Sequence, residues 1–403
     1  MALGETPLQE GRGMSAIEGS GFPLVFKADA PDIDAVDAEL GVEVLARCLE
    51  GMQKEALVRV GESPPWRMVS DEGPYLEGTD LAPFPLAFFT AGMQFSFLSE
   101  LARLSREEGI AFHSARLAQD NFYSMEGSFL RGDAEGGGRS AELHLSLDAE
   151  ASPDVVARLV RRAHRSHPAH AVMRDILENR FALVHNGRAL PLDGLRPSSL
   201  PTAMNPRGIL ERLKPAEPAR LPVVIEKVAA AAIVHGVEGG AGTSLSQEQK
   251  RTLHIHGEAR LLPGLRAETT IQLFKPIGST FRFQSDESQE AAPSSLAYLC
   301  AGVAFCYLTQ IGRYARIVRR SLGSYAVRQR STFRRESSSE DDTLVGRSSP
   351  FDTAVFLEGS LSESEARDLV WMGERTCFLH ASMRGSFPSR LVAELGGDSL
   401  EVD

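Results

Sequence analysis

The chain has 403 residues, 42% of them hydrophobic and 24% charged, with a formal net charge of −11. This supplies apolar material for two separate cores, and the acidic balance argues against nucleic acid or an anionic membrane as the main partner. Four scattered cysteines do not make a secreted disulfide framework. With no stretch that reads as a membrane span or an export signal, a cytoplasmic placement is expected.

In chain order, residues 1–40 are polar and Gly-rich and read as a flexible N-terminal extension. Residues 41–72 carry three strand-like runs, VEVLARCLEG, EALVRVG and WRMVSDEG. A Pro- and Gly-rich loop leads into an apolar helix over 86–108. Strands HSARLAQ, SMEGSFLRG and SAELHLSLD follow, then a second helix opening at Ser152-Pro153-Asp154. FALVHNGRAL closes a unit spanning 41–191 as a hairpin. Residues 192–222 are Pro-rich and read as a linker. The unit 223–403 repeats the order: strands LHIHGEARL, ETTIQLF and FRFQSDE, a helix over 294–320, strands YAVRQRSTF and DTAVFLEGS, and a helix over 362–383. Residues 335–350, rich in Ser and charge, read as a disordered insertion.

The repeat is visible residue by residue. LAFFTAGMQFSFLSELAR (86–103) aligns without a gap on LAYLCAGVAFCYLTQIGR (296–313), and LVRRAHRSHPAHAVMR (159–174) on LVWMGERTCFLHASMR (369–384), both at an offset of 210. Seven of 18 and seven of 16 positions are identical, far above the roughly one that chance gives, so the expectation is two copies of one domain. A third match, Arg67–Ser70-Asp71-Glu72 with Arg282–Ser285-Asp286-Glu287, lies at 215. The fold class expected is α+β, with two tandem domains packed as an intrachain pseudo-dimer.

The copies differ where chemistry would sit. Cys300 and Cys306 on the long helix of the second copy face Thr90 and Ser96 in the first, and Cys377 faces His167. VSDEGPYLEGTDLAPFPLAFFTAG resembles the stretch of OsmC/Ohr hydroperoxide reductases that reads Asp-Glu-Pro, a glycine loop, Gly-Pro-x-Pro-x-Glu and an apolar helix with the reactive cysteine. This resemblance covers both units, about 310 residues of the chain. It implies two OsmC-like domains, the first without the family thiols, with Cys306 as the peroxide-reactive residue and Cys377 as its resolving partner. It also implies an arginine near the thiolate, for which Arg282 is the best candidate and Arg260 and Arg266 are others. The chain departs from the pattern in having Ala87 and Ala297 where the family has glutamate, and Phe378 after the second cysteine.

The function implied is thiol-dependent reduction of alkyl or lipid hydroperoxides through a sulfenic acid and a disulfide, with an external thiol as reductant and no cofactor. The alternative is a non-redox protein binding a small apolar ligand or a metal between the halves. No metal is assigned, and His113, His167 and His170 are the residues such a site would use. His164, His167 and His170 run at i, i+3 and i+6, which one straight helix cannot converge on a metal ion; a kink at Pro168 would be needed. Cys48 and Cys300 read as core. His254 and His256 share one face of a strand. Arg313, Arg316, Arg319, Arg320, Arg328, Arg330, Arg334 and Arg335 read as a solvated helix end and strand. Further oligomerisation is left open.

Overall fold

The computed structural model describes residues 16–30, 33–36, 38, 40–202, 204–218, 221–231, 249–338 and 343–402. Five helices organise the mixed α+β architecture: α1 (Pro85–Glu107), α2 (Pro153–Ser166), α3 (Ser295–Ile317), α4 (Glu363–Thr376) and α5 (Phe378–Arg384). Helices α1 and α3 are buried on nearly every side, as continuous apolar text requires. Helix α3 is long and apolar enough to cross a membrane, which the sequence reading did not find, yet 94% of that stretch is buried inside the protein. Helix α4 begins with a capping box in which Ser362 and Glu365 satisfy each other's backbone N–H groups.

Two sheets enclose these helices, and each draws strands from both sides of the Pro-rich segment. In the first, Arg180–His185, Asp352–Gly359, Leu322–Ser337, Leu40–Cys48, Lys54–Val60, Trp66–Ser70 and Val25–Asp29 lie in that order. In the second the order is Ile225–Ala229, Thr280–Asp286, Arg266–Lys275, Gln249–Leu262, Phe112–Gly127, Glu142–Ala149 and Arg390–Leu395. Each sheet has two seams between the halves, one antiparallel and one parallel. Ala326–Phe333 pairs antiparallel with Leu40–Arg47 and Gln249–Arg260 with Arg116–Gly127, while Asp352–Leu357 pairs parallel with Arg180–His185 and Arg390–Leu395 with Glu142–Leu147. Many elements keep identical bounds at an offset of 210. Phe112–Gly127 returns as Leu322–Ser337, Glu142–Ala149 as Asp352–Gly359, α1 as α3 and α2 as α4.

Helix α1 packs on the second sheet, α3 on the first, and the two helices on each other. Their crossing is set by glycine. A Cβ at Gly92 would lie 2.5 Å from the Leu299 backbone nitrogen, and one at Gly302 would lie 2.6 Å from that of Phe89. Residue 92 thus meets 299 while 302 meets 89, so the chains run in opposite directions and each backbone rests in the notch that the other's glycine leaves. Around this crossing one large apolar cluster holds residues of both halves, in place of two separate cores.

Three expectations change. Val25–Asp29, inside the supposed flexible extension, is a strand paired with Trp66–Ser70 and Lys214–Pro215, because Phe26, Ala28 and Ile33 bury against Ile209 and Leu210 from the supposed linker. The expected disordered insertion is largely a hairpin: Leu344–Ser348 pairs with Phe333–Ser337, while residues 339–342 lie outside the described residues. Two arginines expected in solvent are buried. Arg328 pairs with Glu43 and Asp34 across the seam, and the Arg313 guanidinium lies 4.8 Å from the Phe129 ring centroid.

Candidate active site

Cys306 sits at mid-length on α3, on the face it shares with Thr309, Gln310 and Arg313 at i+3, i+4 and i+7. Cys377 occupies the break between α4 and α5. Its extended backbone (φ −67°, ψ 117°) ends one helix and starts the next, and its N–H donates to Gly373 O at 3.0 Å. That break turns the side chain toward α3. The Cys377 thiol donates to Cys306 Sγ across 3.3 Å, with both sulfurs buried. A disulfide bond is about 2.0 Å long, so a small side-chain movement joins them.

Burial pushes the Cys377 thiol well up, and its hydrogen bond and nearness to Cys306 push it further, against the backbone N–H groups of His380 and Leu379. Cys377 therefore keeps its proton while Cys306 accepts from it. The Tyr123 hydroxyl is fully buried and has no hydrogen-bond partner among the described residues. Burial raises its pKa strongly, and the nearness of the two cysteines acts in the same direction.

Cys306 opens onto a small cavity of about 20 Å³ lined by Glu72, Tyr75, Leu76, Phe84, Pro85 and Leu86 from the first half, and by Leu253, Leu273, Thr309, Gln310 and Phe378 from the second. The walls are mainly apolar; Tyr75, Thr309 and Gln310 bring neutral polar groups, and Glu72 is the one carboxyl group. Glu72 is only 4% exposed. Its Oε2 accepts from the Tyr75 hydroxyl at 2.8 Å, and its Oε1 from the Thr309 hydroxyl at 3.1 Å. Burial holds this carboxyl above the usual range, and the ammonium of buried Lys54 is the strongest opposing influence. Asp71 fixes the loop by accepting from the N–H groups of Glu72, Thr79 and Leu81. The sequence reading did not assign Glu72 to the site. The signal was present in the recurrence of Ser70-Asp71-Glu72 at 285–287, but nothing in it told that the first copy's carboxyl reaches the second copy's thiol.

Arg282, expected beside the thiol, lies elsewhere. It alternates with buried Phe281 and Phe283 along its strand, and therefore points to the sheet's other face, where it pairs with Glu226. Arg260 shares that outer groove and pairs with Glu268. Arg266 is held by Pro263 O at 3.2 Å. Cys300 is buried against Ser331, and burial pushes its thiol up to about 12.

The matching place in the first half holds Ser96 and His167, with His167 Nδ1 3.4 Å from Ser96 Oγ. Pro168 ends α2 and starts a short 3-10 turn, which supplies the kink that the histidine spacing demanded. The kink brings the His164 and His170 rings to 4.5 Å, and those of His167 and His170 to 5.3 Å, in stacked geometry. Their nitrogens are largely committed. His170 Nδ1 lies 3.2 Å from His164 O, and His170 Nε2 accepts the Ser389 N–H at 3.1 Å. His113 is not part of this group, being half-exposed and paired with Glu150. Among the described residues no group of three His, Cys, Asp or Glu is placed to hold a metal ion. His254 and His256 both contact Asp120 across the seam, at 2.6 and 2.9 Å.

No family model matches the chain, and no curated protein matches it. Among solved structures, an OsmC-like hydroperoxide resistance protein from Jannaschia sp. CCS1 is 19% identical to it. That match covers 36% of this chain and 95% of the other, with a TM-score of 0.25, which is too low to carry an argument about fold or chemistry.

Proposed function

We propose that the chain is a thiol-dependent reductase of organic hydroperoxides, built from two OsmC-like units that arose by duplication and pack as an intrachain pseudo-dimer. The observation that carries the reading is the pair of buried sulfurs, 3.3 Å apart, with Cys306 in the wall of an apolar cavity. In the first step the Cys306 thiolate attacks the O–O bond and becomes a sulfenic acid while the alcohol leaves. The Cys377 thiol then attacks that sulfur, water departs and the disulfide forms. Two equivalents of an external thiol return both cysteines to the reduced state, which suits a reducing cytoplasm. The apolar walls favour an alkyl or lipid hydroperoxide over hydrogen peroxide. The expected result is a Cys306–Cys377 disulfide after one equivalent of cumene hydroperoxide, read by non-reducing peptide mapping. Free thiols with the peroxide unconsumed would overturn the reading.

A further inference from the structure

We propose that Glu72, contributed by the first half of the chain, is the general acid that protonates the leaving alkoxide when Cys306 cleaves a peroxide. The inference rests on the peroxidase reading above. Glu72 and Cys306 line one cavity from opposite halves of the sequence, and Glu72 is the only carboxyl group in that lining. The carboxyl is held on two sides, by Tyr75 and by Thr309 one helical turn beyond Cys306. A hydroxyl both donates and accepts, so the Thr309 contact serves the carboxylate and the acid alike.

Cleavage needs a proton at this point, because an alkoxide is a poor leaving group in an apolar cavity. The Cys306 thiolate forms a bond to the terminal oxygen of R–O–O–H as the O–O bond breaks. Sulfur is oxidised to the sulfenic acid, and RO⁻ takes the Glu72 proton and departs as ROH. Glu72 remains as carboxylate through disulfide formation, in which the Cys377 proton leaves with the sulfenic hydroxyl as water. Reduction by external thiol returns a proton on Cys306, which passes to Glu72 and restores the starting pair. Burial favours the protonated form that the step requires; of the neighbouring groups Asp71 acts in the same direction, while Lys54, Tyr75 and Thr309 oppose it.

The test uses the leaving group. Cumene hydroperoxide expels an alkoxide and needs the acid, whereas peracetic acid expels a carboxylate and does not. In the full-length protein, Glu72→Gln is expected to slow single-turnover thiol loss with cumene hydroperoxide by about a hundredfold, the usual contribution of a positioned acid, and to leave the peracid rate within about threefold. Thr309→Val, which keeps the carboxyl but loosens it, should show the same selectivity at smaller size, and serves if the first variant does not fold. Equal slowing of both oxidants, or of neither, would overturn the role of Glu72 while leaving the peroxidase intact. A wild-type protein inert to both oxidants would overturn the peroxidase reading, and the inference with it.

Discussion

The two places related by the offset of 210 share a scaffold and differ in what they hold. Around Cys306 the helix face is Cys306, Thr309 and Gln310, open to a cavity with a single carboxyl group. Around Ser96 the same face is Ser96, Ser99 and Glu100, and Glu100 is tied to Arg103, Arg335 and Ser166. The matching carboxylates also part ways. Glu72 reaches into the cavity to Thr309, whereas Glu287 accepts the Ser295 N–H at the start of α3. Where one half keeps a pair of soft nucleophiles in an apolar pocket, the other is filled by ion pairs and stacked imidazoles. The difference teaches that a glutamate can hold a matching address in the two halves and cap a helix in one while lining a cavity in the other.

The comparison breaks most easily at the sulfurs. Cys306→Ser should lower peroxide consumption by more than about a thousandfold, the scale seen when a nucleophile is removed, while Cys377→Ser should leave a sulfenic acid trappable by dimedone after one turnover. Grafting thiols onto the other side sharpens the point. Ser96→Cys with His167→Cys, in a chain lacking Cys306 and Cys377, should recover under about 1% of the wild-type rate if the cavity and Glu72, rather than thiols alone, make the site; substantial recovery would erase the contrast. The helix crossing tests whether the halves are mechanically alike. Gly92→Ala and Gly302→Ala should each cost about 3 kcal/mol by chemical denaturation, since each Cβ meets backbone that cannot yield; a clear inequality would show an asymmetric crossing.

The histidines give a smaller, pH-dependent difference. Burial holds His164 at about 4 and His170 at about 3, against 6.5 in the unfolded chain. Below pH 6.5 the unfolded state then binds more protons, so stability falls with pH down to those values, at up to about 1.4 kcal/mol per pH unit for each histidine. Replacing His164 and His170 by Asn should partly flatten the melting temperature between pH 6.5 and 4.5; His167, held well down by burial, and His380, held at about 3 by burial, keep a slope of the same sign. The smallest effect is expected at Arg282. Because it is 42% exposed and pairs with Glu226 on the outer sheet face, Arg282→Ala should change the peroxide rate by less than about twofold and stability by under about 1 kcal/mol.

Helical text was legible where apolar runs were long. The expected helix over 86–108 is Pro85–Glu107, and that over 294–320 is Ser295–Ile317. The expected helix over 362–383 is two pieces, α4 and α5, and the break falls on Cys377, whose sulfur lies against that of Cys306. The strand runs were legible too, but not their neighbours. Alternation tells which side chains face the core, as with Phe281 and Phe283, yet carries no information that Leu40–Cys48 has Leu322–Ser337 as its second neighbour besides Lys54–Val60 of its own half. The family resemblance implied Cys306 and Cys377 as partners, but their nearness, like the arrival of Glu72, is set by the tertiary fold. Arg328 and Arg313 misled because charge reads as exposure until a partner such as Glu43 or a ring such as Phe129 is known.

The interleaved sheets also set an order of events during synthesis. Leu40–Cys48 leaves the ribosome early, but its partner Leu322–Ser337 is about 270 residues further on. At 5–20 residues per second that is on the order of tens of seconds in which one sheet has an open edge and the nascent chain has no complete core. Neither half, made alone, would hold the strands to finish its own sheet. Two fragments cut in the Pro-rich segment should therefore be insoluble apart and soluble when produced together, which makes this chain a candidate for conditional reassembly from split pieces.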